Sequence, residues 1–137
     1  MHSLFIKISV MIQIVHIWPY GKKEEFYFLF YLISDGHGVN GHDVSGYLKE
    51  NLPNNLSKNF IKKGINIFNQ SALDPNIKHI IKETFITTNK YMTTDIKVDT
   101  NFSGSTCVSL IHTPNKIITI NVGDSRAVLG RCVDGGK

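Results

Sequence analysis

Arginine is nearly missing from this chain: Arg126 and Arg131 are the only two among 15 basic residues. The lysines are scattered as singles and pairs, such as Lys22-Lys23 and Lys62-Lys63. No stretch interleaves basic residues with aromatics, which argues against a nucleic-acid surface, so the net charge of +4 serves solubility. Cysteine is equally sparse. Cys107 and Cys132 have no close cysteine neighbour and sit among apolar, strand-like residues, so they read as reduced core thiols in a reducing compartment. Long apolar runs are also lacking. Residues 4–18 come nearest, but Lys7, Gln13 and His16 interrupt them, and the run falls short of the roughly 20 residues a spanning helix needs. None of the three marks of a secretory signal, a basic start, a clean apolar centre and a small-residue cleavage site, is clear here, which argues against one. Membrane association is not expected, and cytoplasm or nucleus is the default compartment. There is no repeat and no low-complexity tract.

What is present suits one globular domain with a modest core: 137 residues, 42% hydrophobic and 19% charged. Phe26 to Ile33 is an unbroken apolar run that reads as a buried strand. A second origin stays open for it. Lysine, asparagine, isoleucine and phenylalanine share AT-rich codons, so residues 1–33 could be translated from an intron or a misplaced start. They are treated as an uncertain N-terminal segment.

Directly after that run comes the most informative stretch, Asp35-Gly36-His37-Gly38, followed by Gly41-His42 and Ser45. Glycine lets a backbone carbonyl approach a ligand closely. A carboxylate beside such a carbonyl is hard-oxygen chemistry of the kind Mg2+ and Mn2+ prefer. His37 then stands within reach of whatever the cation activates. An EF-hand does not fit, because its third, fifth and twelfth positions would be His37, Val39 and Gly46. A zinc site from His37, His42 and Asp43 would lack a fourth ligand.

The spacing of Val44, Leu48 and Leu52 predicts a helix from His42 to Leu52, ended by Pro53. Phe60, Ile61, Ile65 and Phe68 suggest a second, weaker helix, with Gly64 counting against it. Asp74-Pro75 is a helix start, and the helix to about Thr94 places Ile77, Ile80, Ile81, Phe85, Thr88, Tyr91 and Met92 on one face. The last third reads as an antiparallel meander: Thr106 to His112, Ile117 to Val122, and Arg126 to Val133, with a tight turn at Gly123-Asp124-Ser125. The class is α+β, with helices on one side of an antiparallel sheet. Asp35 and Asp124 each stand at a strand end beside glycine. If both ends open on one side, they could face a common cleft, and paired acids around divalent metals suit in-line attack on phosphorus.

Residues 34–53, SDGHGVNGHDVSGYLKENLP, and residues 103–131, SGSTCVSLIHTPNKIITINVGDSRAVLGR, resemble two ordered motifs of the metal-dependent serine/threonine protein phosphatases of the PP2C (PPM) family. The likeness covers about residues 34–133, and residues 34–137 are assigned to the N-terminal part of such a domain. The resemblance implies part of a four-layer α-β-β-α sandwich and hydrolysis of phosphoserine and phosphothreonine in proteins. It also implies dependence on two Mg2+ or Mn2+ ions, with a third more weakly held. By the same likeness, Asp35 would bridge the two catalytic metals and the Gly36 carbonyl would bind one of them. His37 would be the general acid, and Asp124 would help hold the third ion. Gly104, Ser105 and Thr106 are given a structural role only, and Arg126 that of an ion-pair or hairpin residue.

The chain also departs from the family pattern. Glu24 and Glu25 are the only acids before Asp35, no arginine precedes Arg126, and Ile33-Ser34 replaces the usual apolar-Phe pair. The family's two further metal aspartates would fall beyond Lys137. Activity is therefore not expected of these residues by themselves. A non-catalytic pseudophosphatase that binds partners, and an incomplete gene model, remain alternatives.

Overall fold

In a computed structural model, which describes residues 13–17, 29–69, 71–72 and 74–130, the chain past the glycine-rich turn enters one long helix, α1 (Gly41–Lys62). It buries Val44, Leu52, Leu56 and Phe60 along one stripe. Pro53, which the sequence suggests as a stop, lies buried inside it. A mid-helix proline costs about 3 kcal/mol through a lost backbone bond and a ring clash. Burying Leu52, Leu56 and Phe60 stabilises by about 1.5–3 kcal/mol each, so packing wins and the two expected helices become one. The real stop is Gly64, at φ 63°. The Gly64 N–H donates to the Ile61 carbonyl at 3.0 Å and the Ile65 N–H to the Phe60 carbonyl at 3.1 Å, the paired bonds of a Schellman motif.

The second helix, α2 (Pro75–Thr94), begins as the sequence predicts: the Asp74 carboxylate accepts the Asn76 N–H at 2.7 Å, with Pro75 in the first turn. Ile77, Ile80, Ile81, Thr84, Thr88 and Met92 are buried. Tyr91, expected on that face, points outward and is 58% exposed, one residue short of the Thr88–Met92 stripe. Between the helices, Asn55 Nδ2 donates to Thr88 Oγ1 at 3.0 Å and Asn59 Nδ2 to Thr84 Oγ1 at 2.8 Å. The Thr84 hydroxyl in turn donates to the Ile80 carbonyl at 2.7 Å, so these buried polar groups are satisfied.

Four strands form an antiparallel sheet in the order β1 (Gln13–Ile17), β2 (Leu29–Ile33), β5 (Cys107–Thr113), β6 (Lys116–Val122). A separate two-stranded ribbon pairs β3 (Gly36–His37) with β4 (Gly104–Ser105). Phe30 stands opposite Ile111, which stands opposite Ile118. These three and Leu32 meet Leu52, Leu56, Phe60, Ile77 and Ile80 in the core, so both helices lie on one face of the sheet. Burial alternates along β2 instead of being continuous, because the helices cover only that face. Residues 26–28 of the apolar run, like most of residues 1–33, lie outside the described residues.

β5 and β6 match the expected hairpin to within a residue. The third strand of the expected meander does not form over residues 126–130, and residues 131–133 lie outside the described ones. The chain instead bends at Gly123, at φ 102°, and the Ser125 hydroxyl turns back to Thr106 at the start of β5. Cys107 is buried and free, as expected, and Cys132 lies outside the described residues.

Candidate active site

The glycine-rich turn is stitched to the segment before β5 by a short antiparallel ladder. Asp35 exchanges two bonds with Thr106: its N–H donates to Thr106 Oγ1 at 3.2 Å, and its carbonyl accepts the Thr106 N–H at 3.0 Å. Gly36 then faces Ser105 and His37 faces Gly104. With its backbone groups engaged, Asp35 leaves its carboxylate to solvent, and Gly36 and His37 are exposed beside it.

Glycines define the shape of this corner by what they leave out. A side chain on Gly36 would collide with the Gly41 carbonyl, and one on Gly41 would come within 2.9 Å of the Gly36 oxygen, so the start of α1 rests directly on the turn. A Cβ at position 104 would stand 2.7 Å from His37 Nε2, so the imidazole lies across the bare backbone of the partner strand. Asn40 ties the far side of the turn: its N–H donates to Ser103 Oγ at 3.0 Å, and its side-chain amide to the Asp99 carbonyl at 3.3 Å.

The second motif joins through one hydroxyl. Thr106 Oγ1 lies 2.7 Å from Ser125 Oγ, and a Cβ on Gly123 would touch Thr106 Cγ2 at 2.9 Å. Asp124, exposed, sits between these two contacts. The segments carrying Asp35 and Asp124 therefore share Thr106 as a common anchor. Arg126 is exposed and pairs with no carboxylate among the described residues.

The Asp35 carboxylate and the Gly36 carbonyl are hard-oxygen donors that suit Mg2+ or Mn2+ in kind. Among the described residues, no three His, Cys, Asp or Glu side chains come together to hold a metal, so this corner offers part of a coordination sphere. A nearby polar concavity of about 420 Å³, lined by His42, Asp43, Tyr47, Glu50 and Asp95, has different properties. There burial, followed by the charge of Asp95, pushes the Tyr47 phenol up.

Sequence reasoning places Gly104 and Thr106 in a structural strand pair and Ser125 in a tight turn, and the structure adds the contacts that tie all three to Asp35 and His37. Their signal is faint: a run of hydroxyls and glycine, Ser103 to Thr106, without apolar periodicity of its own. Its partner across the fold cannot be read from spacing.

Comparison with known proteins covers this whole region. The family profile of protein phosphatase 2C matches residues 16–136. A probable protein phosphatase 2C 73 of Arabidopsis thaliana is 29% identical over 137 aligned residues, covering 88% of this chain and 35% of its own. Protein phosphatase 1B of Bos taurus is 35% identical over 120 residues, 82% of this chain and 23% of its own. Protein phosphatase 2C homolog 3 of Schizosaccharomyces pombe is 32% identical over 102 residues, 74% of this chain and 22% of its own. The chain thus spans about a third or less of the length of these relatives. Its α+β layout, helices on one face of an antiparallel sheet, agrees with part of such a domain. Both motifs lie within the matched span, in their expected order and joined through Thr106, and the chain belongs to the protein phosphatase 2C family.

Proposed function

We propose that this chain carries one corner of a metal-dependent phosphoserine/phosphothreonine phosphatase site. The observation that supports it most is the shared anchor: Thr106 bonds the Asp35 backbone on one side and Ser125, next to Asp124, on the other. In this reading Asp35, the Gly36 carbonyl and Asp124 hold divalent cations, Mg2+ or Mn2+. When bound, such a cation makes a nucleophile of water at neutral pH and offsets charge on the phosphoryl oxygens. His37 holds a proton at its imidazole for the departing serine or threonine oxygen. Gly104 leaves the ring room to lie beside the turn, and the Asp35–Thr106 bonds hold the carboxylate's backbone still. The substrates are phosphorylated proteins.

A second reading is a chain that binds phosphoproteins without turnover. Phosphate release from a phosphothreonine peptide in Mn2+, with Asp35→Asn and His37→Ala alongside, separates the two. Metal-dependent release that falls at least tenfold in both variants is expected of a catalytic corner. His37→Ala should impair the peptide far more than an aryl phosphate, whose leaving group needs no proton. Release that ignores Mn2+, or that both variants leave unchanged, rejects the catalytic reading. Peptide binding without release, unaffected by Mn2+ and by Asp35→Asn, selects the second.

No helix among the described residues is long and apolar enough to cross a membrane.

A further inference from the structure

Two bare apolar side chains stand beside the His37 turn, and nothing in the proposed chemistry uses them. Val39 is 85% exposed and Phe102 is 98% exposed. Phe102 also has φ 57°, the only positive-φ residue other than glycine among the described residues. That region is costly for a bulky aromatic residue, and surroundings that hold such an outlier mark it as a candidate for function.

The two positions belong to one local structure. Gly38 packs so tightly against the Phe102 carbonyl that no side chain would fit between them. Two residues on, the Asn40 N–H donates to Ser103 Oγ at 3.0 Å. Val39 thus lies between two fastened points of the turn, and Phe102 lies next to both fastenings. His37 directly precedes Gly38 and faces Gly104, two residues beyond Phe102. Exposed apolar groups whose backbones are already pinned lose little freedom on contact with an apolar partner. The nearest group that the proposed site would bring past them is the chain flanking a phosphorylated residue.

Building on the phosphatase reading above, we propose that Val39 and Phe102 form a recognition rim that selects phosphopeptides carrying an apolar residue next to the phosphoserine or phosphothreonine.

The test is fluorescence anisotropy with the intact chain and two phosphothreonine peptides, flanked by leucine or by serine. The leucine peptide should bind about tenfold more tightly, the order of discrimination an apolar contact gives. The preference should fall below about twofold in Val39→Ser/Phe102→Asn and persist in Phe102→Leu. Asparagine tolerates positive φ, so the double variant should melt no lower than the parent, and circular dichroism checks this. Equal affinities, no binding of either peptide, or a preference that survives the double variant would overturn the rim. The unphosphorylated pair separates this idea from the one beneath it. An equal leucine preference without phosphate keeps the rim and counts against the phosphatase reading. Mn2+-dependent cleavage of an aryl phosphate with no peptide preference does the reverse.

Discussion

Thr106 Oγ1 accepts the Asp35 N–H at 3.2 Å and lies 2.7 Å from Ser125 Oγ, so a single hydroxyl joins the turns that carry Asp35 and Asp124. Thr106→Val keeps the side-chain shape and removes that junction. It should cost about 0.5–1.5 kcal/mol in urea unfolding, the net contribution of a typical hydrogen bond whose partners water can reach. Hydrogen exchange at the Asp35 amide should quicken, while the amides of β5 beyond Ile111 should keep their rates. Unchanged exchange at Asp35 would show that the ladder holds without the hydroxyl.

The glycines of α1 should respond in opposite directions. Gly46 has open space around it, so Gly46→Ala should stabilise by up to about 1 kcal/mol from helix propensity alone. Gly41→Ala gains the same propensity but drives a methyl into the Gly36 backbone. It should destabilise by about 1–3 kcal/mol, as overpacking does. Melting temperatures of the two variants, one raised and one lowered, check the pair.

Gly104→Ala should displace His37 without unfolding the protein. The new methyl would meet the exposed end of a side chain that can rotate away, not backbone. Stability should change by less than about 1 kcal/mol. The imidazole resonances of His37 should shift in NMR spectra, while those of His79 and His112 stay in place.

Cys107 should make stability fall in alkaline solution. Burial, partly countered by a hydrogen bond with Ser109, pushes its thiol up from 9.0 to about 11. Above the unfolded value the unfolded chain loses this proton while the folded chain keeps it. The contribution is therefore level below about pH 9 and declines towards pH 11, by up to about 1.4 kcal/mol per pH unit. Subtracting the profile of Cys107→Ala isolates this slope from other alkaline titrations, and an identical profile would count against it.

The sequence made regular elements legible wherever side-chain chemistry acts locally. Asp74-Pro75 announces α2, and the β-branched content of residues 107–122 announces β5 and β6. It misled where distant packing competes with a local rule. Pro53 looks like a stop until the burial of Leu56 and Phe60 is counted, and Tyr91 looks buried until the helix phase is fixed by Thr88 and Met92. Over residues 126–130 the expected third strand does not form, and just before them the Ser125 hydroxyl meets Thr106, 19 residues away. At the site, Asp35, Gly36, His37 and Asp124 are visible as residue types in a motif. Gly104 and Thr106 are visible only as members of a structural strand, because the contacts that tie them to the turn span about 70 residues of chain, 71 from Asp35 to Thr106.

The two asparagine–threonine bonds between the helices repeat at the same interval on both, four residues apart. Together they act as a vernier. Sliding α1 by one turn, about 5.4 Å, could realign only one of the two rungs. Asn55 lies 14 residues along α1 from Gly41, about 21 Å at the helical rise. The far end of that span, which carries Pro53, is the backbone pressed against Gly36. A part-buried polar pair between the helices thus helps set where the Gly36 turn stands, and loss of a rung would be felt there as displacement.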